Sequence, residues 1–534
     1  MPTAEPLSAE LPALHEDPAV HARRWRTLLV LCLSLAIVMI ANGSLNVALP
    51  QLARNLGASQ SELQWMVDGY ALVFAGLLFT AGTLGDRFGR KGALQAGLVL
   101  FLVAAIAASM ADTAGQIVAC RAVMGVAAAL VMPSTLSILT SVFPPEERGR
   151  AISMWAGIAA GAAALGPVTT GFLLERFWWG SVFLVNIPLV GVALVAGIRL
   201  VPVQTVRGRE PLDLPGAVLS ILGVGALVYA IIEAPHHGWG SAATLRTFGA
   251  AALLLLAFAL RERRAAHPML ELSLFRDRRF SVASAGIAVA FFAMFGAFFL
   301  VTQYLQLVLG YRPLVAGLTM LPISLTMMLL SPQAPRLVAR FGVSRVAGVG
   351  LGLVAGGLLS FSSLGQGSPV AAVYAAYLPM MVGMSISMTP LTTLIMSAVP
   401  PARAGIGSAM NDTTRELGGA LGVAVLGSLL TTRFATEVAP ALDGLPEPSA
   451  ALARSGLSGA LEVAAGLGGR AGGALAEAAR EAFVDGLGLA AIVAAATVGV
   501  TAALAARLLP REAAAPAPGP ALDGDLAPRP APVD

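Results

Sequence analysis

Gly82-Thr83-Leu84-Gly85-Asp86-Arg87-Phe88-Gly89-Arg90-Lys91-Gly92-Ala93-Leu94 is a short, charged, glycine-rich stretch between two long apolar runs. Four of its side chains carry charge within six residues, in a chain that is only 12% charged. A bilayer core offers no water to a bent backbone, so turns between spanning helices fall at the membrane edge. The stretch therefore reads as a tight turn between two spans. Gly82, Gly85 and Gly89 allow close helix approach and unusual φ values. Asp86 complements a helix start. Arg87, Arg90 and Lys91 hold the turn on the cytoplasmic side.

The surrounding composition agrees. The chain is 57% hydrophobic with a mean hydropathy of +0.78, more apolar surface than a soluble domain could cover. Fourteen apolar runs are long enough to cross a hydrocarbon core of about 30 Å. They cover about 28–50, 64–83, 92–111, 116–142, 151–173, 181–201, 213–233, 244–260, 281–303, 314–335, 345–365, 370–398, 407–430 and 484–508. The runs are continuous rather than alternating, which favours an all-α membrane protein over a barrel. The polar residues 1–24 and the long first run argue against a cleavable signal. Cys32 and Cys120 fall inside spans and read as packing residues.

With the N-terminus inside, 24 of the 34 basic residues fall in cytoplasmic segments, eight in external ones and two, Arg121 and Arg415, within spans. That distribution predicts both termini in the cytoplasm. It also accounts for the basic pI of 9.4 without a nucleic-acid partner.

Further motifs follow. Arg121-Ala122-Val123-Met124-Gly125 lies in span 4. Gly157-x-x-x-Gly161 and then Gly166-Pro167-x-x-x-Gly171 lie in span 5. Asn46-Val47-Ala48-Leu49-Pro50 closes span 1, and Gln64-Trp65-Met66-Val67-Asp68-x-Tyr70 opens span 2. Phe183-Leu184-Val185-Asn186-Ile187-Pro188 opens span 6. Asn411-Asp412-Thr413-Thr414-Arg415-Glu416-Leu417-Gly418-Gly419 lies in span 13. Together with the 82–94 turn, this set resembles the major facilitator superfamily, in particular the fourteen-span drug:proton antiporters of the EmrB/QacA type. Two positions depart from that pattern. Ala41 stands where the family often carries a span-1 Asp, and Thr170 replaces a second Gly after Gly166-Pro167.

The resemblance implies two six-helix bundles, residues 28–201 and 281–508, with two helices inserted between them in 202–280. A cytoplasmic arm (1–27), an external loop (431–483) rich in Ala, Gly and Leu and partly helical in pattern, and a Pro- and Ala-rich disordered tail (509–534) complete the organisation. It also implies a conformational role for the turn and an antiporter role for the span-5 motif. A bacterial cytoplasmic membrane is the expected location, and a monomer the expected state.

Ionisable groups inside a span cost about 2.5–3.5 kcal/mol each on an insertion scale, so those that persist are candidate functional groups. Asp68 and Arg121 lie at similar depths and are expected to pair, which would make proton affinity depend on conformation. Asp412, Arg415 and Glu416 share one helical face and form a second candidate site for a proton or a charged substrate, with Glu416 the deeper carboxylate. Small residues in span 5 permit close packing, and Pro167 kinks the helix, as a rocking interface requires. Phe291, Phe292, Met294, Phe295, Phe298 and Phe299 crowd span 9, and Met380, Met381, Met384 and Met388 populate span 12. Such stripes more often face lipid or core, so no substrate contact is assigned to them.

The only lysine is Lys91. A phosphate-binding loop needs Gly-Lys-Ser/Thr, so ATP drive is excluded and an ion gradient is expected. No cofactor and no metal are expected, nor is enzymatic activity, since no convergent His/Asp/Glu or Ser/His cluster falls within spans. The reading is export of a lipophilic or cationic small molecule in exchange for protons. A dedicated exporter of one endogenous compound is the alternative, ahead of a channel or an intramembrane enzyme.

Overall fold

Helices account for the secondary structure, and no strand occurs among the described residues. In the computed structural model these are residues 16–203, 213–265, 272–398 and 404–509. The expected 509–534 tail, apart from Leu509, and the first part of the 1–27 arm lie outside them.

Local chemistry starts the first helices. Helix α1 (Pro18–Leu56) is capped by the Asp17 side chain, which accepts from the Ala19 N–H. It begins inside the segment expected to be a cytoplasmic arm, 1–27. A reciprocal capping box, Ser59 with Glu62, opens α2 (Gln60–Phe88). Helix α3 (Arg90–Ser109) follows after the single residue Gly89, whose φ of +98° lies in the region that favours glycine. A second capping box, Thr113 with Gln116, opens α4 (Ala114–Val142). Each box satisfies two otherwise orphaned helix-end N–H groups.

The chain continues through α5 (Pro145–Arg176), the short α6 (Ser181–Leu184) and α7 (Asn186–Leu200). An antiparallel pair follows, α8 (Leu214–His237) and α9 (Ala242–Arg264). Then come α10 (Arg278–Gln303) with a π-helical turn at Tyr304–Val308, α11 (Pro313–Thr319), α12 (Leu321–Leu330), α13 (Ala334–Phe341) and α14 (Val343–Phe361). Helices α15 (Val370–Ser397), α16 (Ala404–Val438), α17 (Glu447–Arg454), α18 (Leu457–Leu467) and α19 (Gly469–Leu508) complete it.

Twelve helices among the described residues are long and apolar enough to cross a membrane. Of the other two expected spans, one falls on α2. The other, 314–335, is broken into α11, α12 and a 3-10 turn at Ser331–Gln333, with proline in the first turn of each piece. Proline lacks the N–H that a continuous helix needs and is tolerated at a helix start. The 431–483 segment, expected to be a partly helical external loop, is mostly helical. Helix α16 extends to Val438, α17 and α18 fill the middle, and α19 begins at Gly469. The Ser455 carbonyl there accepts from the Gln60 N–H at the start of α2.

Helices α1–α7 form one half. In it α1 packs on α5, α2 on α4, and α3 on α4 and α7. Helices α10–α19 form the other, with α10 on α16 and α14 on α15 and α19. Helix α8 touches both halves at the seam where α2 meets α16. The Ser61 hydroxyl donates to the Ile232 carbonyl and the Ser428 hydroxyl to the Ile231 carbonyl. Helix α9 packs on α8 and is otherwise largely exposed, as a lipid-facing helix would be.

Candidate functional site

Asp68 is two turns into α2 and 0% exposed. Neither of its carboxylate oxygens has a hydrogen-bond partner. Arg121, on α4, is 1% exposed, but it does not meet Asp68. Its Nε donates to the Met66 carbonyl at 3.0 Å, and its guanidinium carbon lies 4.3 Å from the centre of the Tyr70 ring. The aromatic face, not the carboxylate, holds the cation. The expected Asp68–Arg121 pair is therefore not formed in this state. Sequence spacing placed the two at one depth, yet helix rotation turned Arg121 onto the other neighbours.

The span-13 cluster comes together on α16. Arg415 Nη1 lies 3.6 Å from Asp412 Oδ1. Asn411 donates to the same carboxylate at 3.4 Å and accepts from the Thr392 hydroxyl at 3.2 Å. The Arg415 guanidinium also rests on the Phe291 ring, 4.6 Å from its centre. Glu416 Oε2 is buried with no hydrogen-bond partner.

Helix α16 reaches that position through close backbone contact. A Cβ on Gly418 would meet the Ala288 carbonyl, and one on Gly422 the Phe292 carbonyl. Small residues let helices approach this closely. Span 5 behaves similarly in its second half only. A Cβ on Gly166 would lie 2.8 Å from the Ile40 carbonyl of α1, and one on Gly171 would strike Leu314 of α11. Gly317 of α11 in turn abuts the Pro167 carbonyl. Gly157 and Gly161 have nothing within 4 Å, so the expected close packing is absent there.

The halves are bonded to each other at the end where α1 and α5 finish and α2 and α11 begin. Gln64 Nε2 donates to the Val423 and Ala424 carbonyls at 3.1 and 3.0 Å. Gln306 Nε2 donates to the Val47 carbonyl at 2.9 Å. Arg312 bridges Glu175 at 2.9 Å.

Comparisons with known proteins match this architecture. The family description Major Facilitator Superfamily covers residues 31–423. The chain is 33% identical over 509 residues to the tetracenomycin C resistance and export protein of Streptomyces glaucescens, covering 92% of this chain and 94% of that one. It is 36% identical to the multidrug efflux pump LfrA of Mycolicibacterium smegmatis, covering 90% and 95%. A crystal structure of a bacterial homolog to the human lysosomal transporter Spinster, inward-facing and occupied, shares the fold with a TM-score of 0.65. The identity is 17% and the coverage 93% of this chain and 99% of that one.

The chain belongs to the Major Facilitator Superfamily. It is a transporter and not an enzyme. In this major facilitator protein the 82–94 turn joins α2 and α3 through Gly89 alone. The side chains of Asp86 and Arg87, and Gly82, lie outside the described ones. Gly85 is buried, and a Cβ there would stand 3.6 Å from Ala93 and from Ser134. Arg90 donates to the Ser137 carbonyl of α4 at 3.2 Å, and Lys91 to the Ile198 carbonyl in the last turn of α7 at 2.8 Å. A cation at helix-end carbonyls is favourably placed. The turn thus ties three helices together, a role its charge pattern alone did not reveal.

Sequence reasoning gave no role to three residues. Tyr70 and Gln64 stood within a quoted motif, and Gln306 stood unremarked near the end of an apolar run. Amides in apolar runs are the signal that could have marked both glutamines.

Proposed function

We propose that this chain exports lipophilic or cationic drugs across the cytoplasmic membrane in exchange for protons, by alternating access. In this reading it is a fourteen-span monomer with both termini in the cytoplasm, as the positive-inside distribution supports. The end bonded through Gln64, Gln306 and Arg312 is then the outer one, so the structure is a state sealed toward the outside. The names of the tetracenomycin C and LfrA relatives support efflux as the direction.

The observation that carries proton coupling is Asp68. A carboxyl group inside a span, 0% exposed and without a partner, is a group that can take up and release a proton as the helices move. Glu416 is the matching group in the other half. The 82–94 turn controls conformation, and the Gly166–Gly171 stretch is the surface on which the halves rock. One proton moving through 100 mV supplies about 2.3 kcal/mol, roughly fifty-fold accumulation.

The test uses purified protein in vesicles with an imposed proton gradient. Wild-type chain should concentrate a fluorescent lipophilic cation, and an uncoupler should abolish this. Asp68→Asn should lose gradient-driven accumulation. Retained accumulation in that variant would reject proton coupling at this residue. The tetracenomycin C relative favours a second reading, export of one endogenous antibiotic. A susceptibility panel in a pump-deleted host separates the two, since a dedicated exporter protects against one compound.

A further inference from the structure

Two arginines inside the bundle rest on aromatic rings, and they differ in one respect. Arg121 is 1% exposed and bonded to the Met66 carbonyl, so it is part of the packed framework. The Arg415 side chain is 42% exposed, although it lies eleven residues into α16, about 16 Å from the helix start at 1.5 Å per residue. A guanidinium exposed to hydrocarbon at that depth is expensive, and such groups face the bundle interior or a water-filled cavity. Arg415 covers the Phe291 ring with its planar head, 4.6 Å away, and its exposure is the placement expected of a guanidinium that faces water between the helices.

The seat under that head has the chemistry of a cation site. Phe291 supplies a face with negative quadrupole, and it makes an edge contact at 5.8 Å with Phe295. Asp412 supplies a carboxylate 3.6 Å from the guanidinium, longer than a tight charge-assisted bond. Glu416, one turn further on the same face, has a buried oxygen without a partner. The glycine contacts at Gly418 and Gly422 hold this face of α16 against α10. The seat is thus built, and its present occupant is a tethered one.

We infer that Arg415 is an internal stand-in for a cationic substrate: the Phe291–Asp412–Glu416 seat binds a lipophilic monocation, which must displace the Arg415 head to enter. The inference rests on the drug-export reading and deepens it by placing the cation. It has a consequence for specificity. A cation competes with Arg415 for the ring and the carboxylates. A neutral compound of the same shape gains nothing from the carboxylates and is indifferent to the arginine's charge.

The test is direct binding to full-length protein in lipid nanodiscs, with no gradient, by calorimetry. The probes are tetraphenylphosphonium and its neutral near-analogue triphenylphosphine oxide. Arg415→Gln should bind tetraphenylphosphonium about five- to tenfold more tightly than wild type, the scale of one partly exposed cation–π contact plus a weak ion pair, and triphenylphosphine oxide unchanged. Phe291→Ala added to Arg415→Gln should erase that gain. Unchanged or weaker tetraphenylphosphonium binding in Arg415→Gln overturns the inference, as does equal tightening of both probes. If Arg415→Gln fails to fold, Arg415→Lys decides. Its point charge lacks the planar stacking surface, so a gain of about twofold is expected, and an unchanged Kd overturns the inference. Binding of only the neutral probe sinks this inference while leaving drug export standing. The expected binding pattern without gradient-driven export sinks proton coupling alone.

Discussion

The Arg121 guanidinium sits 4.3 Å from the centre of the Tyr70 ring, on the same helix as the Asp68 carboxylate that charge pairing alone would choose. The contact joins α4 to α2 and leaves Asp68, two residues before Tyr70, without a cation. In the proposed proton-coupled cycle Tyr70 acts through Arg121, as a positioning residue. Tyr70→Phe keeps the ring and should retain transport within about twofold. Tyr70→Leu removes a desolvated cation–π contact of about 2 kcal/mol. It should cut gradient-driven transport by tenfold or more and change the pH profile. Equal activity in the two variants would show that the ring face is irrelevant.

Gln64 and Gln306 each bond a backbone carbonyl of the opposite half. Those bonds must break for the sealed end to open, and each contributes about 1 kcal/mol net. Gln64→Ala together with Gln306→Ala should shift the equilibrium toward opening at that end by roughly thirtyfold or more. The readout is labelling of Val423→Cys by a membrane-impermeant thiol reagent, in a chain with Cys32 and Cys120 replaced. Labelling should rise; no rise would mean that other contacts hold the seal.

Glycines of the same motif should differ in tolerance. Gly166→Leu drives a side chain into α1, and overpacking of this kind costs about 1–3 kcal/mol or more. A lower thermal transition and lost transport are expected. Gly157→Ala meets nothing within 4 Å and should leave both unchanged. A Gly157→Ala variant as damaged as Gly166→Leu would contradict the packing described here.

Arg312 and Glu175 join the halves at the rim, but the arginine side chain is 74% exposed. Exposed pairs contribute about 0–1 kcal/mol and weaken with salt. Arg312→Gln should therefore move the thermal transition by less than the Gly166→Leu change and leave export intact. Loss of export comparable to that of Asp68→Asn would assign this pair a larger part than its exposure allows.

Much of the fold was legible because bilayer physics is severe. Continuous apolar runs about 20 residues long can only be helices, whereas the capping boxes at Ser59 and Thr113, which start α2 and α4 ahead of the apolar runs at 64 and 116, were not read. The broken helix at 314–335 was less visible. Its prolines stood in the sequence, but whether a proline is carried inside a helix, as Pro167 is within α5, or stands at a break, as at α12, depends on neighbouring helices that re-satisfy the freed backbone. The 431–483 segment read as only partly helical because Ala and Gly are weak evidence for burial. Its helices form where α17 packs on α18 and α18 packs on α19 and α1.

Sequence by itself determined the class of this protein: a helical major facilitator protein, with its charged turn at 82–94 and a sparse set of ionisable residues within spans. It determined which residues are costly, since the penalty for a charge in hydrocarbon belongs to the residue type. Only the tertiary structure decided who compensates each one. Helix rotation and close backbone contact at Gly166, Gly418 and Gly422 put Arg121 on Tyr70, Arg415 on Phe291, and left Asp68 alone. Partner choice between helices depends on rotations that no one-dimensional spacing encodes.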